Sequence, residues 1–514
     1  MTKTHKDHLF SLVKSLTKSE KRQFKLYVGR LDVNSDSKFL NLFNLLDKSK
    51  TYNERDILKS GFIKKQQLAN VKAHLYKQIL ISLKLNPSHH NVRSQIREQL
   101  DFASILYHKG LYKQSLKILD KAKGVAIINE EKNMAFEIVE LEKVIESQYI
   151  THSVSTRADE LAREAKQLSQ ENVITSRLSN LSLQLYSYIL KSGYIKDEAE
   201  SAKIKSFFES HLPEFDISKA GFREKFWYFK AHVWYSFLMQ DFLSCYKFAS
   251  KWVDLFHESE AMIQLNPVFF LKGNNYLLES LFFLQDKKRF DLHYQTFENT
   301  LASKSFPKDE NVTTLSFLYL NFHKINAHFI DGSFSEGIYL IPKIEDALKA
   351  HNTYITEHHK MVFYYKFASL HFGAGNNKKT IFYLDKIISN KAIIIREDLL
   401  CFSRVLNLVA HYEAGIDYHL ESLLKSTYKF LIKMNDLHKV QKEMIAFIRR
   451  LQDIYPHQLK SAFKDLHERL KAYEHHPYER RAFLYLDILS WLESKIENKS
   501  VQEIIQSKFE ARQN

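Results

Sequence analysis

Histidine is the residue type with the most scope for chemistry in this chain: 24 occur among 514 residues, and a neutral imidazole can ligate metals or move protons near neutral pH. Their spacing builds no site. No HExxH, GxxxxGK[ST], GxSxG or calcium-loop pattern occurs. His358-His359 and His475-His476 are adjacent pairs, which on a helix point about 100° apart, a poor geometry for sharing one ion; loops or helix ends suit them better. The carboxylate pairs Glu130-Glu131 and Asp159-Glu160 lie beside basic residues, as on a solvated helix surface. Cys245 and Cys401 stand far apart without a CxxC and read as buried thiols of a reducing compartment. These residues predict no catalytic constellation, no metal and no cofactor, and hence a protein that is not an enzyme.

Lysine and arginine offer a different chemistry, the holding of anions. The net charge is +15, and residues 1–90 carry 18 Lys/Arg against 7 Asp/Glu, which is +11, leaving +4 for the remainder. Such asymmetry suits an acidic partner, nucleic acid or an anionic protein face, and it equally suits a lysine-rich solvated surface. Glu54 to Leu75 can be written as helix, Ser60-Gly61-Phe62 turn, helix, the outline of a helix-turn-helix. Its second helix offers Lys64, Lys65 and Lys72, and Lys21, Arg22 and Lys25 add further phosphate contacts. Arginine is missing from the obvious base-reading positions, so backbone contact is expected rather than base readout. A cap for the rest of the protein is the other reading of this module.

The elements that position these residues are helices. Only 12 glycines and 7 prolines occur, too few for the turns of sandwiches and barrels or for glycine-rich nucleotide loops. Hydrophobic residues make up 45% of the chain, enough to exclude wholesale disorder. A chain of this length exceeds one compact core, which leaves several domains or an elongated array. Thr17-Lys18-Ser19-Glu20 fits a capping box that starts a helix, further helices follow near Phe39–Leu46 and Ile63–Leu85, and Ser88-His89-His90-Asn91 reads as a linker. No window approaches the ~18 uninterrupted apolar residues of a membrane span, and the N-terminus lacks the apolar run of a signal peptide. A soluble, cytoplasmic protein without membrane contact is expected.

From about Gln95 one phrase recurs: a long apolar-periodic helix, a short turn, a second helix. Gly110, Gly193, Gly332, Gly375 and Gly415 sit in such turns at multiples of some 40 to 46 residues, which places further turns at Thr151-His152, Gln240-Asp241-Phe242 and Gln285-Asp286-Lys287. The pattern predicts an all-α fold, a right-handed α-solenoid of stacked antiparallel helix pairs with a small basic helical module at its N-terminus. Residues 1–90 form the module, 91–430 the solenoid and 431–514 the helices that cap it. Arg481 to Ile496 fits the cap, and Ser500 to Asn514 is polar enough to fray.

Two of these units resemble tetratricopeptide repeats. In Ile96–Ala122 the small residue of the first helix is Ala103, the helix-breaking glycine Gly110 and the following aromatic Tyr112, with Ser115, Leu119 and Ala122 on the second helix. In Met361–Ile387 the matching residues are Tyr364, Ala368, Gly375, Thr380, Leu384 and Ile387. The closing proline of that family is replaced by Ile127 and Ala392, and the spacing exceeds its ~34 residues. The resemblance implies that the inner faces of the first helices line a peptide-binding groove: Arg97, Leu100, Ser104, Tyr107 and His108 in one unit, Val362, Tyr365, Ser369 and Phe372 in the other. The function that follows is a scaffold or adaptor binding a protein or peptide. The alternative is a regulator, nucleic-acid- or ribosome-associated, that uses the basic N-terminal module.

Overall fold

The computed structural model describes residues 7–30, 38–86, 91–148, 156–350, 355–390, 397–416, 420–434, 439–479, 483 and 487–513. The linker at Ser88-His89-His90, the turn at Thr151-His152, Ala392 and much of 480–486 lie outside the described residues. Two compact units divide the chain, 1–155 and 156–514, and the described residues of both hold helices and no strand.

The first unit opens with α1 (His8–Ser15), α2 (Lys18–Gly29), α3 (Lys38–Lys48), α4 (Glu54–Lys59) and α5 (Lys65–Lys84). Helix α2 starts where the capping box requires. The Glu20 amide donates to Thr17 Oγ1 at 3.2 Å and the Thr17 amide to Glu20 Oε2 at 2.7 Å, so two amides that α2 leaves without intrahelical partners are satisfied. Leu9, Val13, Phe24, Leu42, Phe43, Leu75 and Ile79 recur at helical spacing and bury one stripe of each helix in a common core. Then come α6 (Val92–His108), α7 (Tyr112–Ile128) and α8 (Lys132–Gln148), each packed on the next. Between α7 and α8 the Lys123 ammonium meets Glu142 at 2.8 Å, both buried.

The second unit begins with α9 (Arg157–Ser192) and α10 (Glu198–His211). Helix α9 runs 36 residues unbroken, about 54 Å at 1.5 Å per residue. The pairs follow: α11 (Phe222–Leu238) with α12 (Phe242–Glu258), then the short α13 (Glu260–Leu265), and α14 (Pro267–Phe283) with α15 (Lys287–Ala302). Next stand α16 (Glu310–Asp331), followed by α17 (Phe334–Ile338) and α18 (Ile341–Ala350), then α19 (Glu357–Gly373) with α20 (Asn377–Ile388) and α21 (Glu397–Glu413) with α22 (Leu420–Lys433). Last are α23 (Lys439–Arg450), α24 (Leu459–Lys471), α25 (Ile488–Glu497) and α26 (Val501–Gln513). Neighbouring pairs touch, α12 against α14, α14 against α16 and α20 against α21, around a continuous core that includes Trp252, Phe270, Phe290, Phe363 and Phe367.

Five of the turns share one geometry, and the Gly193 turn, at φ +71° and ψ −147°, departs from it. At the Gly375 turn, the Gly375 amide donates to the Phe372 carbonyl at 3.0 Å and the Asn376 amide to His371 at 2.7 Å. This is the Schellman arrangement, which uses the last carbonyls of a helix and requires a left-handed residue at its centre. Gly110 and Gly415 repeat it, and so do Gln240 and Gln285, both at φ +56°. In the second unit Gln240, Gln285, Gly332, Gly375 and Gly415 stand 40 to 47 residues apart. The residue after the turn caps the next helix: Asp241, Asp286 and Asn376 each accept an amide three residues on.

The C-terminal segment departs from the expected fraying. Helix α26 lies on the second unit, where Gln502 Oε1 accepts from the Ser335 amide at 3.1 Å and Arg512 donates to Gln285 Oε1 at 3.1 Å. Those residues sit beside successive turns, and Ile505 and Gln506 close over Gly332. The polar composition of 500–514 reflects polar docking, not an unfolded tail.

Candidate functional site

In the first unit α2 carries Lys18, Arg22 and Lys25, all exposed, at spacings of four and three that align them along one face. Together with Lys21 and Leu26 they line a shallow open depression, and Leu26 is 57% exposed at its edge. Lys21 reaches Asp47 at 2.8 Å. Lys64 and Lys65 stand exposed where α5 begins, after the turn at Gly61, so the helix, turn and helix foreseen in the sequence are present. Lys72 differs: its ammonium pairs with Asp7 and hydrogen-bonds the Tyr52 hydroxyl at 3.1 Å. Burial works against the Lys72 charge, and those two partners outweigh it and raise the pKa. Lys72 therefore serves the α1–α5 core.

The foreseen groove residues lie on α6 of the first unit and α19 of the second. On α6, Arg97 and His108 are exposed, Ser104 and Tyr107 half-buried and Leu100 buried. The Tyr107 hydroxyl accepts from Gln148 Nε2 at 2.9 Å, and its ring stands 5.2 Å from His108 and 5.9 Å from Tyr112. On α19, Val362 and Ser369 are half-buried, while Tyr365 and Phe372 are buried. Ser369 Oγ donates to the Tyr365 carbonyl at 3.0 Å.

The same register extends over the second unit. Counting back thirteen, ten, six and three residues from each turn residue gives Val362, Tyr365, Ser369 and Phe372 before Gly375. It gives Trp227, Lys230, Trp234 and Phe237 before Gln240, and Lys272, Asn275, Glu279 and Phe282 before Gln285. Before Gly332 it gives Tyr319, Phe322, Asn326 and Phe329. The sequence showed this register only at the Gly110 and Gly375 units; its extension from the turns at Gln240, Gln285 and Gly332 was the signal that could have found the rest. This face is aromatic and carries single cations. Lys366 on α19 stands 5.9 Å from the Phe282 ring on α14, 6.0 Å from Phe322 and 5.6 Å from Phe329, so side chains of α14 and α19 meet across α16.

Lys366 also orients a buried polar chain. Its ammonium donates to Asn326 Oδ1. Asn326 Nδ2 lies 3.3 Å from His323 Nδ1, and His323 Nε2 lies 3.0 Å from Asn275 Oδ1. An ammonium only donates, so Asn326 presents its oxygen to Lys366 and its N–H to His323 Nδ1, which leaves Nε2–H to donate to Asn275. Both ring nitrogens are thus committed to a neutral imidazole. Burial, reinforced by the Lys366 charge, lowers the His323 pKa to about 3, and burial lowers Lys366 to about 8.

Small polar residues bind the two helices of three pairs together at one fixed spacing. Ser115 Oγ donates to the Ala103 carbonyl at 2.8 Å, Thr380 Oγ1 to Ala368 at 3.3 Å, and the Cys245 thiol to Val233 at 3.9 Å. Both cysteines are buried. The His358-His359 pair opens α19 and His475-His476 follows α24. Among the described residues no group of three or more His, Cys, Asp or Glu is gathered as a metal would require, and no helix is long and apolar enough to cross a membrane. No protein-family model, no curated protein and no solved structure matches the chain.

Proposed function

We propose that the protein is a non-enzymatic scaffold or adaptor, a divergent tetratricopeptide-like right-handed solenoid that receives a protein or peptide segment on its first-helix faces. The observation that carries this reading is the register of half-buried apolar and polar side chains, Trp227, Glu279, Phe282, Phe329, Val362 and Ser369, repeated at fixed distances before successive turns. Such a face offers an extended segment apolar pockets and a few polar anchors. The recurring bond between helix partners, Ser115 to Ala103 and Thr380 to Ala368, supports the tetratricopeptide comparison, because it holds each pair at its close crossing through the small residue.

Peptides selected from a random display library on the full chain test it. Selected peptides are expected to compete with one another and to lose at least tenfold in affinity on Trp227→Ala or Phe282→Ala. Failure to select any peptide, or indifference to both changes, contradicts the reading.

A second reading rests on the α2 face. Lys18, Arg22 and Lys25 are aligned, exposed and beside Leu26, which suits backbone contact with nucleic acid, as in a ribosome-associated regulator. Steep loss of nucleic-acid binding between 50 and 200 mM salt, abolished by Lys18→Glu with Arg22→Glu and Lys25→Glu, supports it. Salt-independent binding or none refutes it.

A further inference from the structure

Lys230 and Lys272 sit half-buried on α11 and α14, and neither has a hydrogen-bond or ion-pair partner among the described residues. Aromatic rings surround the Lys230 ammonium instead. It stands 4.3 Å from the Trp227 ring, 5.4 Å from Phe269 and 5.9 Å from Phe226. Trp227 and Phe269 are themselves 5.8 Å apart, which ties the two helices together at this place. Lys272 is one turn along α14 from Phe269. Burial and, after it, the Lys272 charge together lower the Lys230 pKa to about 8.

We propose that Lys230 and Lys272, with the Trp227 and Phe269 rings as walls, form a binding site for a phosphoryl group.

The charge pattern selects this class. Two ammonium groups in a partly desolvated, aromatic setting repel each other and have no counter-ion among the described residues, so a single carboxylate leaves one of them unmatched. A phosphoryl group carries a charge of about −1.5 to −2 at pH 7 and several strong acceptor oxygens. It can meet both ammoniums at once, and lysine binds it as a point charge without needing the arginine fork. The rings lower the local dielectric, which strengthens the attraction, and leave apolar surface for whatever organic group bears the phosphate. The site does not depend on the peptide reading, because a small inorganic anion is enough to fill it.

The test is a titration of the full chain with inorganic phosphate at constant ionic strength set by chloride, read by thermal unfolding and by 31P line broadening. Saturable stabilisation is expected in the wild type. It should weaken at least tenfold in Lys272→Gln and in Lys230→Gln and persist in Lys288→Gln, a change at an exposed lysine on α15. Because Lys272 repels Lys230, Lys272→Gln should unfold no earlier than the wild type without phosphate, so loss of the response is not loss of fold. A phosphoserine peptide and a nucleoside monophosphate, titrated in parallel, identify the source by whichever binds more tightly than phosphate itself. Absence of saturable phosphate binding overturns the proposal, and so does retention of binding by both Gln variants.

Discussion

The hydroxyl of Ser115 reaches the carbonyl of Ala103 at 2.8 Å, twelve residues back and across the turn at Gly110. Thr380 makes the same reach to Ala368 around Gly375. In each pair a small residue lets the second helix approach closely, and the hydroxyl at the crossing takes a carbonyl that already belongs to the first helix. The bond fixes the axial register of the two helices, and with it the direction in which the first-helix face points.

Ser115→Ala removes this bond while leaving the Ala103 carbonyl in its own helix. A loss of about 1 kcal/mol is expected, measured by urea unfolding. Ala103→Leu places a branched side chain in the crossing and should lose about 1–3 kcal/mol through overpacking.

Turn geometry separates two kinds of glycine. A Cβ on Gly375 meets nothing within 4 Å, but φ is +77°, so Gly375→Ala should lose about 1–2 kcal/mol to backbone strain alone. At Gly373, two residues earlier, a Cβ would stand 2.4 Å from the Phe334 ring. Gly373→Ala should therefore be the more damaging, and adding Phe334→Leu should recover part of its loss. Thermal unfolding of the three variants distinguishes strain from collision.

The buried ion pair of the first unit offers a cleaner contrast. Lys123 and Glu142 meet at 2.8 Å with side chains 8% and 1% exposed. Lys123→Met takes this cation from a buried carboxylate and should lose about 3–5 kcal/mol, whereas Lys123→Met with Glu142→Leu should recover most of that loss. Chemical unfolding of the single and double variants reads the difference.

His323 should make stability fall on the acid side. Its folded pKa is lowered from the ordinary 6.5 to about 3, so between those values the unfolded chain binds a proton that the folded chain refuses. Its contribution is complete above pH 6.5 and declines as pH falls, by up to about 1.4 kcal/mol per unit. Unfolding free energy measured from pH 7 to 4.5 should show this slope, and His323→Gln should reduce it. An unchanged slope contradicts the assignment of a neutral imidazole.

Much of the fold was legible because the turns obey one rule. Glycines marked Gly110, Gly375 and Gly415 directly, and extending their period reached Gln240 and Gln285, whose side chains give no turn signal of their own. The capping box at Thr17 followed from local spacing, and the close-crossing residues Ala103, Ser115, Ala368 and Thr380 from the resemblance to tetratricopeptide repeats. What escaped depended on distant partners. Helix α26 is polar because it docks through Gln502 and Arg512 onto residues about 170 and 230 positions earlier. Lys72 looked like a surface cation until Asp7, 65 residues away, met it. The cations of the second unit's face were also beyond reach, since their environment is made by rings on neighbouring helices, as at Lys230 and Lys366.

The most direct measurement of the central claim is photocrosslinking of a selected peptide to full-length protein carrying benzoylphenylalanine in place of Ser369, on the first-helix face, or of Leu292, a 65% exposed residue of α15. Adducts at position 369 and none at 292, with the signal suppressed by unlabelled peptide, are the predicted result. Equal labelling of both positions, or labelling at 292 alone, would contradict a scaffold that holds its partner along the first helices.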